Sequence, residues 1–445
     1  MPESGFLVSK KISVPVATAV ALGAIIGAGI FVLSGTAIAL AGAYALIAFV
    51  FVGIVAALIA FQLGELGSIM PKAKGAAYSF VYEAFGSQLG FITGILLYFS
   101  FATAIAAVAL GFGSYAASFL GLGSGYSIYI AMVLIFVLSL VNIYGIKKAA
   151  KMDFGLVVVK ISILAIFVAF AAVFAFSGGG HFSFSYLTTP ASKAGLAAIF
   201  AASVAIFFAY SGFQAISTFT SEVEGGANKA ARAIIYSVII SIVVYVLVVL
   251  ALMLLVPVAK YTVSADPLAF ALSYIHAPGY ISIIVDIGAM IATTSATLAM
   301  ILTSSRILYQ IGEDKLLPKI VTRFNRKRDV ALNGVIISSA IGVVMLFAGN
   351  IYVIAAISNF GLLFSYMLSS FAVIHFRRIK RFGSFKTPFY PYVPIISIVA
   401  VMAFMIGMPK EALVIGVMII ISLIVIYYAI IEIDEKRPVK EKLFK

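Results

Sequence analysis

The chain has 445 residues, of which 63% are hydrophobic and 10% charged, and its formal net charge is +14. Soluble proteins carry about 25% charged residues, so this composition excludes an ordinary globular domain and indicates a polytopic membrane protein. The absence of Cys excludes disulfides, thiolate metal sites and cysteine nucleophiles. The three His residues are too widely separated to predict a metal site, so neither a metal nor a cofactor is expected.

Apolar segments of spanning length follow one another along the whole chain. Polar clusters, Pro and Gly divide them into about twelve predicted membrane-spanning helices. No segment alternates as a strand would, so the predicted fold class is an all-α membrane protein. The polar start and the long first apolar stretch predict no cleaved signal peptide. The predicted spans are 13–41, 43–69, 86–119, 126–145, 154–177, 194–221, 231–256, 279–308, 331–349, 351–375, 389–407 and 411–433.

The positions of Lys and Arg orient these spans. Placing the N-terminus in the cytoplasm puts nearly all of the 30 basic residues on the cytoplasmic side, as the positive-inside rule requires. The exceptions are Lys193, Lys260 and Lys410 outside, and Lys160 within the fifth span. We therefore predict a plasma-membrane protein with both termini in the cytoplasm. Because this bias accounts for the basic balance, no nucleic acid partner is expected.

Two loops between the predicted spans have distinct compositions. The outer segment 257–278 contains DPLAFALSYI, which predicts a short amphipathic helix lying over the outer face. The cytoplasmic stretch 312–330 is the longest charged run, and it is expected to be a solvated loop beside anionic headgroups.

Three glycines lie within the first predicted span, in the stretch GAIIGAGIFVLSG at 23–35. Gly costs about 1 kcal/mol relative to Ala in a helix, so Gly23, Gly27 and Gly29 indicate either a close packing face or a break in the helix. The sixth span carries FFAYSGFQ at a similar depth, and paired Gly-interrupted segments in two halves are typical of a transporter's binding site. An unwound helix offers N–H groups to an anion and carbonyls to a cation, which suits a zwitterion. The pairing favours the break, although Gly23 remains compatible with packing alone.

Lys160 is the most informative single residue. It lies in FGLVVVKISILAIF, within the fifth predicted span and without an acidic residue nearby in sequence. One interpretation is a side chain that stretches to the cytoplasmic interface. The other is an ammonium facing the protein interior, where desolvation disfavours the charged form and enables proton release. Such a group would couple transport to protons, and Thr294 and Ser295 of the eighth span are its possible hydroxyl partners.

Three further acidic residues, within or next to predicted spans, are candidates for a role. Glu65 and Glu222 are near cytoplasmic ends, where salt bridges of a gate or loop are the favoured interpretation. Asp286 lies about one turn into the eighth span, where it could face an outer vestibule. Hydroxyls of the neighbouring Thr and Ser residues are most simply bonded to their own helix backbone.

Four segments in order give the chain a resemblance to the amino acid–polyamine–organocation (APC) transporters, closest to their amino acid permeases. The segments are GAIIGAGIF, FQLGELGSIMPKAKGAAYSFVYEAFG, FFAYSGFQ followed by SEVEGGANKAARAI, and SSRILYQIGEDKLLP. The resemblance covers nearly the whole chain and implies one transmembrane domain over 1–445 with a 5+5 inverted repeat of the LeuT-like type. Repeat one would occupy about 13–177, repeat two about 194–375 and two extra helices about 389–433, with spans one and six unwound at the centre.

The resemblance also implies roles for single residues. With the break at Gly27, the amides of Ala28 and Gly29 would hold the substrate carboxylate, and the ring of Phe208 would close over the substrate from outside. Lys160 would occupy the place that a sodium ion fills in sodium-coupled relatives. The substrate ammonium would be held by the carbonyls of Ile25, Phe208, Ala209 and Ser211.

The chain departs from the family pattern at three positions. Ala28 replaces the usual Ser, although binding through the backbone survives that change. Gln214 stands where an acidic residue is common, and GGANKAA lacks the usual prolines. These departures leave open a preference for cationic substrates and the details of the inner gate.

The predicted function is secondary active transport of L-amino acids by alternating access, as a proton symporter with Lys160 as the proton-linked group. A sodium- and proton-independent exchanger is the alternative; a channel or a membrane receptor would belong to another class. The sequence shows no ring of like charges or carbonyl filter motif for a channel, no sizeable soluble domain for a receptor and no catalytic cluster for an enzyme. The expected partners are the amino acid, protons and the lipid bilayer, without an obligatory protein partner.

Overall fold

A computed structural model describes residues 13–27, 29–70, 77–144, 149–177, 195–212, 223–325, 328 and 330–434. Within these ranges the chain is helical apart from turns, connecting segments and one short hairpin, so the prediction of an all-α protein is confirmed. The helices are α1 (Val14–Ile25), α2 (Gly29–Ala41), α3 (Tyr44–Ile69), α4 (Ala77–Phe85), α5 (Ser87–Phe119), α6 (Ser127–Tyr144), α7 (Ala149–Phe176), α8 (Leu196–Tyr210), α9 (Gly226–Leu255), α10 (Pro267–Tyr274), α11 (Gly279–Glu313), α12 (Leu332–Met345), α13 (Ile351–Arg378), α14 (Tyr392–Ile406) and α15 (Lys410–Asp434). The hairpin pairs β1 (Phe324–Asn325) with β2 (Val330–Ala331) in antiparallel register.

Eight helices in the described ranges are long and apolar enough to cross a membrane, namely α3, α5, α6, α7, α9, α11, α13 and α15. The remaining predicted spans coincide with shorter apolar helices. The first predicted span is divided between α1 and α2, and α8, α12 and α14 lie in the sixth, ninth and eleventh. The chain is therefore a multi-pass membrane protein, while the larger number of spans stays a prediction.

The helices pack around two that lie at the centre of the bundle. α5 and α13 are buried nearly all around, whereas α15 is largely exposed and lies at the periphery. α11 packs along α5, α9 packs along α3, and the start of α2 lies against the end of α8. This arrangement brings the divided first span and α8 of the sixth predicted span together inside the bundle.

The outer segment contains the predicted short helix, α10. Pro267 begins it, as Pro commonly does at the first helical position. Exposure is confined to the end of α10, where Tyr274 is 44% exposed, so the expectation of an amphipathic helix with one exposed face is wrong. The rest of the helix packs against the bundle, and its buried residues are Pro267, Leu268, Ala269, Ala271 and Leu272. Pro267 packs directly against Gly35 of α2, which places α10 over the end of the divided span.

One prediction about the loops at the basic end of the bundle was wrong, and one helix there was not predicted. Helix α4 forms between the second and third predicted spans, where no element was predicted. The stretch 312–330 is not a plain solvated loop, because it contains a 3-10 turn at Lys319–Thr322 and the first part of the hairpin. Val321 and Val330 are buried, so packing against the bundle orders this charged segment.

Candidate functional site

The helix of the first span is interrupted between α1 and α2. α1 ends at Ile25 and α2 begins at Gly29, while Ala28 lies outside the described residues. Ile26 has φ −75° and ψ 61°, and the Gly27 amide donates to the Ile25 carbonyl at 2.7 Å. These values describe an inverse γ-turn, in which the hydrogen bond spans two residues rather than four. As the first residue of α2, Gly29 has an N–H without a partner inside its own helix.

The sixth predicted span has a corresponding end in α8. The helix ends at Tyr210, and Ser211 follows it in a short 3-10 turn. Ser211 donates to the Phe208 carbonyl twice, through its backbone N–H and through Oγ at 2.8 Å. Phe208 itself is buried. The following residues 213–222, with Gln214 and Glu222, lie outside the described residues.

These two helix ends touch through their backbones. A methyl group on Gly29 would overlap the Cα atom of Ala209, so only a glycine permits the observed approach. Gly23 serves a different contact, since a methyl group there would overlap Val157 of α7. Gly23 therefore packs against the helix that carries Lys160, and Gly29 packs against the other predicted half of the site.

Tyr245 of α9 connects the two helix ends through its hydroxyl. Its Oη atom lies 2.7 Å from the carbonyl oxygen of Ile25 and 2.9 Å from that of Ala209. A phenol has a single proton, so the hydroxyl donates to one of the two carbonyls at a time. Tyr245 was not among the residues predicted from the sequence. The sequence does contain a signal for it, namely a single Tyr in the apolar run SIVVYVLVVL. A buried phenol needs a hydrogen-bond acceptor, so such a Tyr indicates a polar contact inside the bundle.

Aromatic contacts hold Tyr245 in place. Its ring lies 4.9 Å from that of Tyr210 and makes an edge-to-face contact with Phe49 at 6.0 Å. The Tyr210 hydroxyl donates to the Phe49 carbonyl at 3.2 Å. All three residues are buried, so this cluster fixes α3, α8 and α9 relative to the interrupted span.

The carbonyls expected to hold an ammonium already accept hydrogen bonds from the protein. A carbonyl oxygen has two lone pairs. The Ile25 carbonyl accepts from Gly27 N and faces the Tyr245 hydroxyl. The Phe208 carbonyl accepts both donors of Ser211. In this conformation a cationic group reaches either oxygen only if one of these donors moves.

Lys160 is buried on α7. Its side chain is 3% exposed, so the interpretation of a lysine stretching to the interface is wrong. Its Nζ donates to Ser295 Oγ of α11 in a long hydrogen bond of 3.4 Å. Thr294 is half-buried beside Ser295, whereas the Thr293 hydroxyl donates to the Ala289 carbonyl of its own helix at 2.7 Å. The structure therefore brings Lys160 and Ser295 together.

Glu65 forms a salt bridge, as the sequence favoured. Its fully buried carboxylate accepts from Arg377 Nε at 2.5 Å and from Arg377 Nη2 at 3.0 Å. The amide of Thr387 donates to the same carboxylate at 2.7 Å. This bidentate pair joins α3 to the end of α13 and to the segment that follows it.

Asp286 of α11 does not face an open vestibule in this structure. Its side chain is 5% exposed, and Oδ1 has no hydrogen-bond partner within the described part of the chain. Gly288 packs against Ile163 of α7, so the helices close over this level of the bundle. The expected exposure would require another conformation.

Comparisons with known proteins agree with this architecture. The family model described as "Amino acid permease" matches residues 16–443. The methylthioribose transporter of Bacillus subtilis is 28% identical over 421 residues, covering 88% of this chain and 87% of that protein. The branched-chain amino acid permease BcaP of the same organism is 27% identical over 382 residues, covering 81% and 79%. A crystal structure of the Eremococcus coleocola manganese transporter matches with a TM-score of 0.60 at 15% identity over 98% of both chains, which shows a shared fold alone.

Proposed function

Because the chain belongs to the amino acid permease family, we propose that it is a secondary transporter that moves L-amino acids into the cell by alternating access. The observation that carries the proposal is the contact between the start of α2 and the end of α8, at Gly29 and Ala209 inside the bundle. Irregular backbone within a membrane is tolerated where it is buried in protein or lines a cavity, and transporters use it to bind substrates. The resemblance, the relatives and the absence of a catalytic motif in the sequence all support a transporter rather than an enzyme.

The proposed substrate lies across the two helix ends. Its carboxylate binds the amides of Ala28 and Gly29, because the first N–H groups of a helix have no partner within that helix and lie at the positive end of its dipole. Its ammonium binds the carbonyls of Ile25, Phe208, Ala209 and Ser211, and the ring of Phe208 closes the site. Tyr245 donates to only one of the Ile25 and Ala209 carbonyls at a time, so the other is open to the ammonium while Tyr245 keeps the helix ends together. The Phe208 carbonyl becomes available when the Ser211 hydroxyl turns away from it.

Proton coupling is assigned to Lys160 in this proposal. A charged ammonium is costly to bury, so a buried lysine changes protonation when its surroundings change. Lys160 bonds to Ser295 on α11, and Val157 on the same side of α7 contacts Gly23 of α1. A movement of α1 against α7 therefore alters the surroundings of Lys160. The proposed architecture is a 5+5 inverted repeat with two extra helices. The protein would lie in the plasma membrane with both termini in the cytoplasm.

The test is transport by the full chain in proteoliposomes. With an imposed inward proton gradient, we expect a labelled amino acid to accumulate above its equilibrium level. This accumulation should disappear when a protonophore dissipates the gradient. Counterflow without any gradient dependence would instead establish the exchanger alternative. Failure of both assays for all amino acids would refute the proposed function.

A binding screen selects the substrate for that assay. A ligand at 100 times its Kd stabilises the folded state by about 2.7 kcal/mol, which thermal unfolding detects. The screen covers the standard L-amino acids and also methylthioribose, because a relative 28% identical to this chain carries that name. We expect stabilisation by one or more amino acids and a smaller effect of the matching amino alcohols, which lack the carboxylate.

A further inference from the structure

A crevice lies where α4, α5 and the end of α13 meet, and none of its lining residues belongs to α1, α2 or α8. Its volume is about 380 Å³, which is within the range of small-ligand sites. The lining combines five apolar side chains with two that can carry positive charge. The lining residues are Phe85, Leu89, Leu368, Phe371, Ile374, His375 and Arg378.

The side chains of α13 that line the crevice share one face of the helix. Leu368, Phe371, His375 and Arg378 follow a helical spacing that runs from an apolar end to a basic end. Phe371 is 41% exposed, so this wall opens toward the outside of the bundle, where lipid lies. The His375 ring lies 5.6 Å from that of Phe85 and closes the crevice at its basic end.

Arg378 differs from the two arginines beside it. Arg377 is paired with Glu65, and Arg381 donates to Glu83 at 2.6 Å. Arg378 has neither a carboxylate partner nor a hydrogen bond among the residues that the structure describes. It is exposed at the mouth of the crevice, at the end of the bundle that the charge pattern places in the cytoplasm.

We propose that this crevice binds an anionic phospholipid, with one acyl chain against the apolar wall and the phosphate at Arg378 and His375. The apolar lining requires a ligand with a hydrocarbon part, which a free phosphate lacks. A guanidinium binds a phosphate through two parallel hydrogen bonds, and basic pockets between helices on the cytoplasmic side are typical sites for acidic headgroups.

The chain contains no Trp, which permits a direct test. The variant Phe371→Trp places a single fluorophore in the crevice, about 10 Å along α13 from Arg378. The control Phe136→Trp places one on the exposed side of α6, about 12 Å from Tyr144 at its end. Each protein is reconstituted in bilayers in which either phosphatidylglycerol or phosphatidylcholine is brominated in the upper acyl chain, at equal total composition.

We expect brominated phosphatidylglycerol to quench Trp at position 371 more strongly than brominated phosphatidylcholine. At position 136 the two lipids should quench equally, because that site samples bulk lipid. Adding Arg378→Gln to Phe371→Trp should remove the preference. Equal quenching at position 371, or a preference that survives Arg378→Gln, would overturn the proposal.

Native mass spectrometry of the otherwise unaltered chain gives an independent readout if Phe371→Trp fails to fold. Delipidated protein is titrated with phosphatidylglycerol, and retained lipid is counted. Arg378→Gln should lose one retained lipid, whereas the matched control Lys380→Gln, at an exposed lysine of the same segment, should retain it. Equal retention by both variants would contradict the assignment.

Discussion

The hydroxyl of Tyr245 lies 2.7 Å from the carbonyl oxygen of Ile25, the last residue of α1. The same hydroxyl lies 2.9 Å from the Ala209 carbonyl in α8. One side chain of α9 therefore spans two helix ends that are distant in sequence. It holds them at a fixed separation before any substrate arrives, and such preorganisation improves affinity.

Tyr245→Phe should lower both stability and substrate affinity. Loss of the hydroxyl removes the donor that the Ile25 and Ala209 carbonyls share, and a buried acceptor that loses its partner costs about 1–3 kcal/mol. Without the shared donor, the helix ends separate more readily, so the thermal shift produced by substrate should be smaller. The matched control is Tyr261→Phe. The buried hydroxyl of Tyr261 donates to the Leu252 carbonyl at 2.7 Å and does not contact the proposed site. It should lose stability but keep the substrate shift, and an unchanged shift in Tyr245→Phe would refute the role assigned to Tyr245.

Lys160→Met should separate accumulation from binding. Methionine retains much of the buried volume of the lysine but cannot carry a proton. We expect loss of proton-driven accumulation in proteoliposomes, while counterflow and ligand-dependent stabilisation persist. Lys410→Met, at an exposed lysine, should transport normally. Accumulation by Lys160→Met at the wild-type level would exclude Lys160 as the coupling group.

Gly29→Ala should destabilise the protein strongly for so small a change. The added methyl group would overlap the backbone of Ala209, and overpacking of this kind costs about 1–3 kcal/mol. Gly155→Ala in α7 is the matched control, since a methyl group there meets open space. That substitution should stabilise the helix by up to about 1 kcal/mol. The two variants should shift the unfolding midpoint in opposite directions from the wild type. An unchanged midpoint in Gly29→Ala would contradict the close contact with Ala209.

Glu65→Gln should cost about 3–5 kcal/mol, because removing one partner of a buried ion pair leaves the other charge uncompensated. The matched control is Glu83→Gln, whose partner Arg381 is 40% exposed. An exposed pair contributes only about 0–1 kcal/mol, so this variant should remain close to wild type in chemical denaturation. The double variant Glu65→Gln/Arg377→Met should recover part of the loss. Equal losses in the free energy of unfolding for the two single variants would contradict the importance of burial for the Glu65 pair.

Asp266→Asn should remove a pH dependence of stability. Burial raises the pKa of Asp266 above its ordinary value. The folded state therefore favours the protonated carboxyl, and this contribution is complete below the ordinary pKa and is lost as pH rises through the raised value. We expect the wild type and the variant to have similar unfolding midpoints at acidic pH, with the variant the more stable near neutral pH. A constant difference between them across the range would refute this assignment.

The apolar helices were predictable because composition alone specifies them. The second span was predicted at 43–69 and is Tyr44–Ile69, and the tenth was predicted from residue 351 and is Ile351–Arg378. Helix α4 was missed because its nine residues are too few to span a membrane, and the hairpin at Phe324–Ala331 was missed because burial against the bundle orders that charged segment. The amino acid permease resemblance is confirmed by the match over residues 16–443.

Features that depend on helix rotation were less accessible. Ser295 was one of two possible partners for Lys160, because adjacent residues of a helix point about 100° apart and the rotation of α11 is unknown from sequence. Tyr245 could not be placed against Ile25 and Ala209 for the same reason. The exposure of Asp286 depends on the conformation of the bundle, which no local pattern encodes. The roles of Ile25, Gly27, Ala28, Phe208 and Ser211 in substrate binding stay predictions.

The contact between Gly29 and Ala209 has a mechanical consequence. No side chain lies between these two backbones to absorb a displacement, and close-packed interiors transmit strain rather than dissipate it. The start of α2 and the end of α8 therefore act as one pivot. A ligand that tilts either helix turns the other with it, so both predicted halves of the molecule respond to a single occupant.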